Sequence, residues 1–150
     1  MAAHLMALMF LRRETETGTA ERRHVAIAPH RQGVPWLLPV SNADVEARGC
    51  TRFWSCLCEL GELFKACPCH AMEYHLRLQE ESVGATGDPG GDLPLCPSAS
   101  GEFGTADAML DLIETLAHLT GVNMLTADGI NRFGRHSWRY AGAVFLTSLG

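Results

Sequence analysis

Apolar positions fall into short blocks separated by polar, turn-forming stretches, and the spacing within each block predicts its structure. Met1 to Leu11 is almost wholly apolar and gives way to Arg12 and Arg13, which predicts a buried helix ending near Arg13. Its first residues read as the middle of a pattern, as expected of a chain begun at an internal methionine. His24–Ala28 puts Val25 and Ile27 on one face and predicts a short strand. His30 to Gly33 reads as a turn and Trp36–Val40 as a second strand, with Pro35 and Pro39 confining it to an edge or cutting it short. A helix is predicted from Ala71 to about Glu81, followed by a Gly-, Pro-, Ser- and Asp-rich loop or linker over 82–104. Met109, Leu112, Ile113, Leu116 and Leu119 recur at helical spacing, with Gly121 placed to stop the helix. A polar loop spans 122–135. Ser137 can then cap a helix that buries Trp138, Ala141, Val144 and Phe145. No internal repeat is visible. An antiparallel hairpin over 24–40 followed by several helices makes the predicted class α+β, mostly α.

Composition adds limits. A chain of 150 residues with 47% hydrophobic content suffices for one packed domain and hardly for two. The net charge of -5 is unevenly spread: residues 1–40 carry five Arg against three Glu, residues 41–114 carry 13 acids against four bases, and residues 115–150 carry three Arg against one Asp. Both ends can therefore face a polyanion while the middle faces water. The apolar opening is too short to span a bilayer, and its arginines follow it instead of preceding it. A nuclear or cytoplasmic protein, neither secreted nor membrane-bound, is the expectation.

Five of the six cysteines lie within residues 50–70, together with His70. Zinc takes four thiolate or imidazole donors in a tetrahedron, and a close Cys pair followed by a distant Cys/His pair supplies them. Cys56, Cys58, Cys67 and His70 are the first-choice ligands, with Cys50 as substitute. The gaps are not the two-residue gaps of a common zinc ribbon. Reduced thiols of an intracellular protein, or a disulfide framework in an extracellular one, are the competing readings. If the metal reading holds, the chain can be a non-enzymatic, zinc-stabilised interaction module. Cys96, before Pro97, reads as a loop thiol.

A second constellation is His136-Ser137-Trp138-Arg139. A His and an Arg three apart at a helix start point the same way and can address one phosphate. The bare spacing is common, and a core histidine beside a surface arginine satisfies it equally. The flanking residues add to it. The run Arg132-Phe133-Gly134-Arg135-His136-Ser137-Trp138-Arg139-Tyr140-Ala141-Gly142-Ala143 resembles the second conserved box of the tyrosine recombinases (phage-integrase type). Leu11-Arg12-Arg13-Glu14-Thr15-Glu16 is similar to the first box, in a register that aligns Arg13 and Glu16, with Arg12 as the competing register. More narrowly, the chain resembles the cysteine-bearing recombinase-like proteins of dinoflagellates.

The resemblance implies a partial recombinase catalytic domain over residues 1–150, with a Cys-rich insert at 50–70 and a small sheet at 24–40. It implies DNA as partner, a homo-oligomer assembled on that DNA, and strand cleavage through a phosphotyrosine. Arg13 and Arg139 would stabilise the charge on the phosphate, and His136 would assist proton transfer. The sequence departs from the pattern at Asn42, where relatives have the general-acid lysine; the only lysine is Lys65. Arg135 replaces the usual glycine, and neither Tyr74 nor Tyr140 stands in the nucleophile's place. By this resemblance the chain is expected to be a DNA-binding fragment that does not cleave.

Overall fold

The computed structural model describes residues 2–38, 49–58, 67–83, 92–98, 100–134 and 136–148. They form an α+β fold: helices α1 (Ala2–Met9), α2 (Glu14–Gly18), α3 (Pro68–Val83), α4 (Ala106–Leu119) and α5 (Ser137–Ser148), and an antiparallel pair of strands, β1 (Gly33–Leu38) and β2 (Cys50–Ser55). No helix among the described residues is long and apolar enough to cross a membrane.

The first helix stops earlier than its apolar run suggests. The Arg12 amide donates to the Ala7 carbonyl and the Leu11 amide to the Leu8 carbonyl, while Leu11 takes a left-handed φ of 54°. That pair of reversed bonds is the Schellman ending, here built on a leucine where glycine is usual. The left-handed conformation costs a non-glycine residue ~1–2 kcal/mol. Strand β2 helps to offset that cost. Arg52 Nη1 donates to the Phe10 carbonyl at 2.7 Å and Trp54 Nε1 to the Met9 carbonyl at 2.7 Å, so two otherwise unpaired groups at the helix end are satisfied by side chains more than 40 residues away. Helix α2 starts two residues after the turn. There the Glu16 carboxylate accepts from the Arg13 amide at 3.0 Å, as in one half of a capping box.

The predicted hairpin over 24–40 is only partly present. β1 pairs with β2 along its whole length, from Gly33 opposite Ser55 to Leu38 opposite Cys50. The segment before it contributes a single bridge, Val25 to Trp36, with hydrogen bonds from the Ala26 amide to the Pro35 carbonyl and from the Ala28 amide to the Gly33 carbonyl. His24 belongs to a 3-10 turn, Arg22–His24, and Ala28 precedes Pro29, so the segment leaves the strand at both ends. Residues 39 and 40 of the predicted second strand lie outside the described residues. Gly33 is required where it is, because a Cβ there would collide with the Trp54 carbonyl and the Phe53 ring.

The core lies between α1, the sheet and α3. Trp36 is fully buried, edge-on to Phe10 at 5.1 Å, and the Arg12 guanidinium sits 5.3 Å from the Trp36 ring centre. Helix α3 adds Met72 and Leu76 to this core. It begins three residues before the predicted Ala71 and ends beyond Glu81, at Val83. His75 Nε2 and Gln79 Nε2 donate to the carbonyls of Leu95 and of Pro94 and Leu95, fixing the described end of the predicted linker against α3 with Leu95 buried. Helix α4 matches its pattern: Met109, Ile113 and Ala117 are buried, Thr105 accepts from the Ala108 amide as N-cap, and Gly121 follows the end at φ 70°. Leu119 is the exception, 75% exposed.

Helix α5 buries only part of the face expected, and Phe145 packs against the core. Gly142 is buried, Trp138 and Phe145 are half-buried, and Ala141 and Val144 are exposed. The reason is close approach to α1: a Cβ on Gly142 would overlap the Leu8 carbonyl and the Leu11 side chain. Ser137 does not cap the helix. Its Oγ accepts from the Gly134 amide of the preceding loop at 2.7 Å, and His136 occupies the cap position, its carbonyl accepting from the Tyr140 amide.

Candidate metal centre

β2 ends at Ser55, and the chain then places Cys56 and Cys58 beside the start of α3. Cys67 is the N-cap residue of that helix, its carbonyl accepting from the Ala71 amide at 3.0 Å. Pro68 follows at the first helical position, where a missing N–H costs nothing. His70, three residues after Cys67, projects from the same side of the first turn.

The donor atoms of Cys56, Cys58, Cys67 and His70 all lie within 4.8 Å of one another. Cys56 Sγ is 3.2 Å from Cys58 Sγ and 3.7 Å from Cys67 Sγ. His70 Nδ1 lies 3.1 Å from Cys58 Sγ, 3.4 Å from Cys67 Sγ and 3.8 Å from Cys56 Sγ. Zinc–sulfur bonds of ~2.3 Å and zinc–nitrogen bonds of ~2.0 Å in a tetrahedron require edges of about 3.5–3.8 Å. Two of these edges, 3.7 and 3.8 Å, reach that range and three, at 3.1–3.4 Å, are shorter, so the four residues could hold a metal ion once they adjust around it. Nδ1 is the better-placed ring nitrogen, since Nε2 is 3.7 Å from Cys58 where Nδ1 is 3.1 Å.

The surroundings suit thiolates. The Leu57 amide donates to Cys67 Sγ at 3.3 Å. Burial alone would push Cys67 up; hydrogen bonds from the His70 ring and amide and from the Leu57 amide outweigh it and hold Cys67 below the usual thiol range. The Cys58 amide, aimed at Cys56, likewise lowers Cys56. Cys58 is pushed up to about 12 by its hydrogen bond to Cys56, by burial and by the charge of Cys67. The metal-free cluster thus keeps a proton on Cys58 that a bound cation would displace. Cys50, the substitute ligand from spacing, is at the far end of β2 and does not join the cluster; Cys96 is a separate, half-buried loop thiol.

The residues carried over from the recombinase boxes lie elsewhere. Arg13 is exposed just before α2, and His136 and Arg139 are exposed in the first turn of α5. Among the described residues their side chains make no hydrogen bond or ion pair with each other or with anything else. Arg12, the competing register, is buried: it donates to the Glu16 carbonyl at 3.1 Å and faces the Glu16 carboxylate at 3.6 Å. Tyr74 and Tyr140 are both exposed, on α3 and α5. Asn42, Lys65 and Arg135 lie outside the described residues.

The reading of residues 50–70 as a cysteine block overlooked β2 and the roles of Arg52 and Trp54. Thr51, Phe53 and Trp54 are strand-favouring residues, a signal masked by the cysteines around them. Comparison of the chain with protein-family models, with curated proteins and with solved structures finds no match.

Proposed function

We propose that this chain is a non-enzymatic interaction module whose fold is stabilised by one zinc ion held by Cys56, Cys58, Cys67 and His70. The observation that carries this reading is that three sulfurs and one imidazole all lie within 4.8 Å of one another. Four protein donors close a zinc site, whereas catalytic zinc keeps a position open for water or substrate, so the role is structural. The ion would tie the end of β2 to the first turn of α3. That turn also carries Cys69, and the next one Met72, both fully buried in the core. The binding free energy of the metal then becomes folding free energy.

Protein purified without chelator should carry close to one zinc per chain and lose thermal stability when the zinc is stripped. Cys58→Ser should reduce the zinc content and the melting temperature together, while Cys96→Ser should leave the zinc in place. Metal-free protein with unchanged melting would end this reading.

A second reading is a recombinase-derived DNA-binding fragment, inactive in cleavage. It is supported by the packing of α5 on the end of α1 at Gly142, which brings Leu11, the first residue of one box-like sequence, against the helix that carries the other, and by the exposure of Arg13, His136 and Arg139. Salt-sensitive DNA binding weakened by Arg13→Ala and by Arg139→Ala, across unrelated sequences, would favour it. Binding indifferent to both arginines and lost on chelation would favour the zinc-stabilised module alone.

A further inference from the structure

The sulfurs that would face a metal ion also face each other. Cys56 Sγ lies 3.2 Å from Cys58 Sγ and 3.7 Å from Cys67 Sγ, and all three are free thiols. Two of the three are anchored by the backbone around them. The Cys56 amide donates to the Gln32 carbonyl at 2.9 Å, which fixes the end of β2 against the turn before β1. Cys67 caps α3 through its carbonyl, and its Sγ accepts from the Leu57 amide at 3.3 Å. The separation of Cys56 from Cys67 is therefore set by anchors on different elements. Cys56 is half-buried and Cys67 is buried, so a small oxidant reaches Cys56 with Cys67 standing behind it. A disulfide bond of ~2.05 Å requires the two sulfurs to close by about 1.7 Å, a distance that small side-chain rotations supply.

We propose that Cys56 and Cys67 form an oxidation site, at which hydrogen peroxide joins them in a disulfide and a bound zinc ion is expelled. The expulsion rests on the metal-binding reading above; the pairing stands on the sulfur geometry alone. Peroxide transfers one oxygen to the Cys56 thiol, giving a sulfenic acid and one water. The Cys67 thiol condenses with that sulfenic acid, forming the S–S bond and releasing a second water. Two thiols thus lose two electrons and one peroxide is reduced to two waters. When both sulfurs begin as metal-bound thiolates, two protons come from solvent and the ion departs. Cys58 is the nearer sulfur but the poorer partner, because a bond to Cys56 would close a ring around Leu57 alone and strain the disulfide dihedral. Such a strained bond is readily exchanged onto Cys67. Cys56 and Cys67 are 11 positions apart and escape that restriction. Thiolates and not disulfides bind zinc, so the oxidised centre keeps only Cys58 and His70, two donors where a closed site takes four. The new bond still ties the end of β2 to the first turn of α3, as the ion would.

The test treats the full chain, zinc-loaded and metal-free, with hydrogen peroxide at a protein concentration low enough to prevent linkage between chains. Alkylation in denaturant should then modify four cysteines in place of six. Digestion should recover the Cys56 and Cys67 peptides as one disulfide-linked species, and the zinc-loaded chain should release its metal in step with that species. A dithiol reductant should reverse the bond and restore zinc uptake. Without metal, the oxidised chain should melt at a higher temperature than the reduced one, because the bond restricts the unfolded state. Cys58→Ser should leave the linked species in place. In the wild type, a final bond mapped to Cys56 and Cys58, or six cysteines still open to alkylation, would overturn the pairing without any variant having to fold. Zinc retained in full while the bond forms would overturn the expulsion. A chain that takes up no zinc yet forms the Cys56–Cys67 bond would support the pairing and remove the metal-binding reading.

Discussion

His4 should make the fold acid-sensitive. It lies on α1, 3% exposed, edge-on to Trp138 of α5 with ring centres 4.8 Å apart, and neither of its ring nitrogens has a hydrogen-bond partner. Its pKa falls from 6.5 to about 4, chiefly because burial penalises the imidazolium and next because the positive N-terminal amine repels it; the Met109 backbone, close by but outside hydrogen-bond geometry, pulls weakly the other way. The sign follows directly. The unfolded chain takes up the proton below pH 6.5 while the folded chain resists until about pH 4, so stability falls as the pH drops through that window. At about 1.4 kcal/mol per pH unit the gap corresponds to about 3 kcal/mol. A domain of this length unfolds with an entropy of ~0.3 kcal/mol/K, from ~2 cal/mol/K per residue, so the loss is about 10 °C in melting temperature. Other groups titrate over the same range, and any cation held by the cysteine cluster would be released in acid, so the quantity to measure is a difference. Calorimetric melting of wild type and His4→Phe should be compared from pH 7.5 to 4.5. Phenylalanine keeps the edge contact with Trp138 and removes the proton. Whatever offset the change in ring shape sets at pH 7.5, wild type should lose about 10 °C more than the variant on acidification. Parallel curves would show that His4 is not the buried, unpartnered base described above.

Three further outcomes follow from the packing. Gly142→Ala should destabilise by ~1–3 kcal/mol in denaturant unfolding, although alanine is the better helix former, because α1 and α5 must separate to admit the methyl group; an unchanged midpoint would mean that α5 does not pack there. Thr105→Ala should cost ~1 kcal/mol through loss of the α4 cap, whereas Thr105→Ser should restore most of it. Arg12→Ala should cost ~2 kcal/mol, from the lost contact with Trp36 and the lost bond to the Glu16 carbonyl, and Arg13→Ala under ~0.5 kcal/mol; equal effects in melting would contradict the burial of one and the exposure of the other.

Local sequence alone determined helix α4 and the approximate places of α3 and α5, because apolar spacing, Thr105 and Gly121 act within a turn or two of the residues they control. It also identified the four donors of the candidate metal centre, since few side chains can bind zinc and their crowding into one segment is conspicuous. It could not show that those donors converge, nor that Cys50 is held away from them at the far end of β2. The early end of α1 was hidden for the same kind of reason. No glycine marks it, and its carbonyls are satisfied by Arg52 and Trp54 of a strand that was read as part of a cysteine block. Which of two adjacent arginines goes inward, and which face of α5 meets α1, were likewise settled by distant partners: Trp36 for Arg12, and the Leu8 carbonyl for Gly142. Periodicity reports the energy of a segment against water, whereas these choices depend on the shape and the unpaired backbone groups of a surface that exists only once the other elements have folded against it.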